Sequence, residues 1–107
     1  MKEILMNSPT GAIDPMKLQT IQACLDTQFR NVTFDQKIRP TFTYHHGDHK
    51  LSWLLVIHEE FFADQMSLEE LWQFIDAKVI KKILQNPGKR IQVSKYWDVT
   101  VEERIHS

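Results

Sequence analysis

Between Arg39 and His58 the chain alternates apolar and polar residues through two runs, one from Thr41 to Tyr44 and one from Leu51 to Ile57, with histidines and a Gly-Asp pair between them. Alternation with a period of two marks a half-buried strand, and two such runs around a Gly-X pair predict a β-hairpin. Gly47 stands first in that pair, where a type II′ turn needs φ > 0. A two-residue turn at Gly47 and Asp48 sets Tyr44 opposite Leu51 and Phe42 opposite Trp53. Side chains alternate between faces along a strand. Phe42, Tyr44, Leu51, Trp53, Leu55 and Ile57 then form one face, and Thr41, Thr43, His45, Lys50, Ser52, Leu54, Val56 and His58 the other. A slip of one residue would exchange the two sets, so the aromatic face selects the register. Pro40 lacks a backbone N–H and belongs at a strand start or on a sheet edge.

The pattern changes period on either side of this hairpin. Asp14-Pro15 predicts a helix start, with Asp14 as N-cap and Pro15 in the first turn. The helix is expected to run to about Gln28, packing on a narrow stripe of Leu18, Ile21 and Leu25 with Cys24 at its margin. Ser67 and Glu70 form a capping box, with Met66 and Leu71 placed for a hydrophobic staple. Leu68, Leu71, Trp72, Ile75, Val79 and Ile83 then share one helical face. Glu69 and Glu70 near the start and Lys78, Lys81 and Lys82 towards the end complement the helix dipole, and Asn86-Pro87-Gly88 stops the helix. The connector Glu59 to Gln65 reads as a single helical turn anchored by Phe61 and Phe62.

Three stretches are less defined. Ile4 to Met6 is a candidate edge strand. Asn31 to Asp35 alternates through Val32 and Phe34 and is a candidate short strand. From Arg90 to Val101, Ile91, Val93, Trp97, Val99 and Val101 share one parity with Lys95 interrupting, which means either a bulge or two short strands. The resulting order is (β)-α-(β)-β-β-α-β. This is an α+β fold in which two helices cover one face of an antiparallel sheet of three to five strands.

Length and composition add bounds. A chain of 107 residues is expected to form a single domain over 1–107, frayed at 103–107, and to bury about 65% of its unfolded surface. A hydrophobic share of 42%, a charged share of 25% and a formal charge of −1 are those of an ordinary globular protein. No strong field towards nucleic acid or anionic lipid is implied. Cys24 is the single cysteine, which excludes an internal disulfide and favours a reducing compartment. With no stretch resembling a signal peptide or a membrane span, the expected setting is the cytoplasm, or that of a host cell.

Candidate chemistry is sparse. His45, His46, Asp48 and His49 could supply metal ligands. In the expected register, however, only His46 and His49 share a face, His45 points away, and His58 lies about 30 Å further along an extended strand. A solvated hairpin tip explains the cluster equally. His58, Glu59 and Glu60 are a conceivable acid–base group, but neighbours on a strand point apart and no nucleophile accompanies them. Cys24 on a helix margin reads as packing. Lys78, Lys81, Lys82, Lys89, Arg90 and Lys95 suit phosphate contacts, although helix-dipole complementation and solubility account for them too. No catalytic motif and no cofactor signature is found.

One structural consequence remains. If both helices cover the Phe42/Trp53 face, then Leu54 and Val56 lie on a face open to solvent, unless Phe61, Phe62 or the N-terminal segment folds over them. Such a patch suits a protein contact, and a sheet edge can pair with a partner strand. The expected function is that of a small non-enzymatic interaction or regulatory module, such as an inhibitor or accessory protein. It would contact another protein or a second copy of itself through Thr41, Thr43, Leu54, Val56 and His58. Nucleic-acid binding through the basic residues and a metal site at His46, Asp48 and His49 are the alternatives.

Overall fold

The computed structural model describes residues 13–47 and 51–102. Helix α1 (Pro15–Asp26) starts as its sequence requires, with the Asp14 carboxylate accepting the Met16 amide at 2.9 Å. The Thr27 hydroxyl closes it by donating to the Cys24 carbonyl at 2.6 Å. Strands β1 (Arg30–Asp35), β2 (Thr41–His45) and β3 (Trp53–Ile57) follow, then a 3-10 turn (Glu59–Ala63). Helix α2 runs as Leu68–Phe74, continues through a π turn at Ile75–Val79 and finishes as Ile80–Gln85. The chain ends in β4 (Arg90–Val93) and β5 (Val99–Glu102). The strands form one sheet in the order β1-β2-β3-β4-β5. The fold is α+β, with the helices packed on one face of a five-stranded sheet.

The sheet is mixed rather than wholly antiparallel. β3 and β4 run parallel, with Leu55 beside Ile91 and Ile57 beside Val93, while the other neighbouring pairs are antiparallel. The reason lies in the connection: the 3-10 turn and α2 carry the chain back along the sheet before β4 begins, the crossover that parallel strands need. The candidate strand near residue 31 forms as edge strand β1, with a register irregularity where Asn31 takes φ 56°. The final segment is two strands around a five-residue connection, Ser94 to Asp98, with the Ser94 amide donating to the Asp98 carbonyl at 2.9 Å. Ile4 to Met6 and the tail 103–107 lie outside the described residues.

The central hairpin keeps its two faces but not its turn. Phe42 pairs with Leu55 and Tyr44 with Trp53, two residues away from the expected register. A two-residue shift preserves parity, so the core face survives. Leu51 leaves that face for a longer loop and is 78% exposed. Tyr44 and Trp53 instead stack with Phe29 at one end of the sheet, at ring separations of 4.7 and 6.3 Å from Phe29. Gly47 does take a positive φ, 61°.

The capping box at Ser67 is complete: Ser67 Oγ accepts the Glu70 amide at 3.0 Å, and the Ser67 amide donates to Glu70 Oε1 at 2.9 Å. Downstream, Leu71, Ile75, Val79 and Ile83 are fully buried, while Leu68 and Trp72 sit at the margin. Steps of four residues overshoot an α-helical turn by about 40° each. The wider π turn takes up part of that drift and keeps the four side chains over the sheet. Both helices, the sheet and Phe61 and Phe62 of the 3-10 turn share one core cluster, in which Cys24 is fully buried rather than marginal.

Tyr44 is also fully buried, and its hydroxyl has no hydrogen-bond partner among the described residues. A buried, unsatisfied hydroxyl is destabilising by about 1–3 kcal/mol. Tyr44→Phe is therefore expected to raise stability by about 1 kcal/mol and the melting temperature by about 4–8 °C. Calorimetry checks this, and a fall in melting temperature would overturn it.

Candidate functional site

β3 is the central strand, so its outward residues occupy the middle of the face that carries no helix among the described residues, and the N-terminal segment that could cover it lies outside them. The pairings place Leu54 beside Thr43, with Thr33 beyond it on β1. They place Val56 between Thr41 on β2 and Gln92 on β4, with Thr100 beyond on β5. Thr41, Thr43, Leu54, Val56 and Gln92 are each partly buried by their neighbours in the sheet, and Leu54 and Val56 stand outside the core cluster. The phenylalanines of the 3-10 turn do not reach across to them. Phe61 packs on Phe74 and Trp97 at 5.7 and 5.0 Å, and the Phe62 carbonyl accepts the Lys17 ammonium of α1 at 2.6 Å. The face ends in polar groups, with Glu102 accepting from Arg90 at 3.2 Å and from Gln92 at 2.7 Å, and His45 3.2 Å from the Ser52 hydroxyl.

His58 is more a structural residue than the alternation implies. Its Nδ1 accepts the Glu60 amide at 3.1 Å and caps the 3-10 turn, which places the ring proton on Nε2. Glu60 turns instead to Lys95 on the β4–β5 loop, at 3.4 Å. The acid–base reading of His58 and Glu60 therefore meets two groups already engaged in other bonds. His46 lies between Phe29 and Trp53, at ring separations of 5.5 and 5.3 Å, as part of an aromatic cluster. Asp48 and His49, named with it as metal ligands, lie outside the described residues. Among the described residues no three His, Cys, Asp or Glu side chains come together as a metal site.

The basic residues divide between places. Lys78, Lys81 and Lys82 follow the later part of α2. Lys89 and Arg90 stand at the start of β4, where Arg90 pairs with Glu102. Lys95 lies past the other end of that strand, about 16 Å away at 3.3 Å per residue, and pairs with Glu60. Among the described residues the Cys24 thiol is held up at about 11 by burial and, secondarily, by the Asp76 carboxylate. Such a thiol is a poor nucleophile.

A second surface escaped the sequence reading. The carboxyl ends of the parallel strands β3 and β4 diverge, one into the 3-10 turn and the other into the β4–β5 loop. Trp97 sits between them at φ 69°, a conformation that a bulky side chain rarely adopts. It is fixed there by its indole N–H, which donates to Asp64 Oδ2 at 2.6 Å, and by Phe61 and Phe74 at 5.0 and 4.8 Å. An open groove lies on each side of it. One, of about 490 Å³, is lined by Met66 and Phe74, by Gln65, Glu70 and Gln73, and by Ala77 and Lys78 of the π turn. The other, of about 470 Å³, is lined by Glu60, Asp64, Lys95 and Tyr96. These groups come from segments some 30 residues apart, and the local pattern, in which Lys95 only interrupts the alternation, carries no signal of their meeting.

No helix among the described residues is long and apolar enough to cross a membrane. Comparison with models of known families, with curated proteins and with solved structures finds no significant match to this chain.

Proposed function

We propose that the protein is a small, non-enzymatic interaction module that docks its open sheet face onto another protein or onto the same face of a second copy. The observation that carries this reading is the position of Leu54 and Val56 in the middle of that face, on the central strand and outside the core. Thr41 and Thr43 flank them with β-branched side chains, which pack well against a second pleated surface. His58 lies at the margin, held in its cap.

Size bounds the affinity. Five strands about 4.8 Å apart and about five residues long make a face of roughly 400 Å². Two such faces bury less than the roughly 1,200 Å² at which stable complexes begin. Association is accordingly expected to be weak and concentration-dependent, as suits a regulatory contact. A reducing, cytoplasmic setting belongs to this reading, consistent with one buried thiol.

The test is the paired substitution Leu54→Glu and Val56→Glu. Both side chains already touch solvent, so the variant is expected to keep its far-ultraviolet and near-ultraviolet circular dichroism while losing association in sedimentation velocity over a concentration series. Retained association, or an unfolded variant, would remove the basis for the proposal.

A further inference from the structure

The crevice at the carboxyl ends of β3 and β4 already contains an ammonium. Lys95 Nζ lies 3.4 Å from the Glu60 carboxylate and 5.3 Å from the centre of the Tyr96 ring. A carboxylate and an aromatic face are the two groups that together recognise an alkylammonium or a guanidinium. The Glu60 bond raises the pKa of Lys95, so the side chain is present as the cation. The pair is solvent-exposed, which makes it weak and displaceable. Asp64 lines the same groove, and the Lys17 ammonium lies behind it, 3.1 Å from the Asp64 carbonyl.

The indole that separates the two grooves is fixed in place. Trp97 is held by a hydrogen bond and two aromatic contacts at φ 69°, a backbone conformation that side chains rarely adopt. The wall between the two grooves is therefore formed before anything binds, and binding need not order it. Tyr96 beside it is 73% exposed. Beyond the indole, Met66, Phe74 and Ala77 give the second groove an apolar stretch, with Gln65, Glu70, Gln73 and Lys78 around it.

We propose that this crevice binds an extended peptide segment of a partner protein that presents a basic side chain and, two residues on, an apolar one. The basic group takes the place of Lys95 between Glu60 and Tyr96. The apolar side chain enters the second groove against Met66, Phe74 and Ala77. Residues i and i+2 of an extended chain point the same way about 7 Å apart, the span needed to straddle one indole ring. Lys95 is then an internal competitor that lowers the affinity of the free site. The inference does not depend on the open sheet face, which lies elsewhere on the sheet.

The indole N–H of Trp97 gives a direct reading by heteronuclear NMR. The probe is the capped tripeptide acetyl-Arg-Thr-Leu-amide, compared with acetyl-Glu-Thr-Leu-amide, acetyl-Arg-Thr-Gly-amide and free arginine. The probe is expected to shift the Trp97 indole signal saturably below about 10 mM, the range for a small two-point contact. The three comparison compounds bind at least roughly fivefold more weakly, each having lost one contact. Lys95→Ala tightens binding about threefold by removing the competitor, and Glu60→Gln weakens it by a similar factor. Equal binding of the Glu peptide, arginine binding as tightly as the probe, or unchanged or weaker binding to Lys95→Ala would each overturn the proposal.

Discussion

Phe61→Ala is expected to lower the unfolding free energy by about 3–5 kcal/mol, the range for removing a fully buried phenylalanine from a packed core. Phe61 is 0% exposed, although it lies on a five-residue 3-10 turn and not on a helix or strand of the main layers. Its ring meets Phe62 at 5.5 Å, Phe74 at 5.7 Å and Trp97 at 5.0 Å, and so ties the exit of β3 to α2 and to the β4–β5 loop. Alanine leaves a void bounded by three rings that belong to separate elements and cannot collapse onto it together. It also removes one of the contacts that hold Trp97 at positive φ. Urea unfolding followed by tryptophan fluorescence measures the change, and Tyr96→Ala, an exposed neighbour, is the control expected to move stability by less than about 0.5 kcal/mol. A loss below about 1 kcal/mol for Phe61→Ala would show that the 3-10 turn is not part of the cooperative core.

Native Cys24 is expected to react with an uncharged thiol reagent at pH 8 at least about 100-fold more slowly than the urea-unfolded chain. Burial first and the Asp76 carboxylate second move its pKa from 9.0 to about 11, and the thiolate is the reacting form. Zero exposure slows the reaction further. The same shift carries a sign for stability. The thiol binds its proton more tightly in the folded state, so its contribution is fully present below about pH 9. As pH rises the unfolded state ionises first, and stability falls from about pH 9 to about 11, then levels. The loss from this group is at most about 2–3 kcal/mol. Tyr44 acts in the same direction above its ordinary value of 10.0, because burial raises its pKa strongly. Cys24→Ala should therefore show a shallower alkaline decline than the parent chain across pH 9 to 11. Parallel profiles would show that the thiol titrates alike in both states.

Local chemistry was legible where one segment carried the whole signal. Ser67 and Glu70 could be read as a capping box because both partners lie within one turn of chain. Asp14 and Pro15 marked a helix start on the same basis. The partition of the hairpin into a core face with Phe42, Tyr44 and Trp53 and an outer face with Leu54 and Val56 also stands, since parity is a property of each strand alone. Its turn was misplaced because a two-residue shift leaves every face unchanged. The choice between the registers rests on how Tyr44 and Trp53 pack with Phe29, a contact made from outside the hairpin. Leu51 was assigned to the core by alternation alone, and alternation carries no information about where a loop begins.

The amino-acid pattern by itself determined the two helix starts, the centre of each helix's apolar stripe and the side of the central hairpin that faces the helices. Local sterics, hydrogen-bond capping and side-chain period act within a few residues, so they can be read from a few residues. Tertiary structure alone decided that β3 and β4 run parallel, that Cys24 is sealed, and that Glu60, Asp64, Lys95 and Trp97 meet at the ends of those strands. Each of these depends on a crossover whose path is set by packing α2 on the sheet, and that packing energy is shared among residues far apart in the chain.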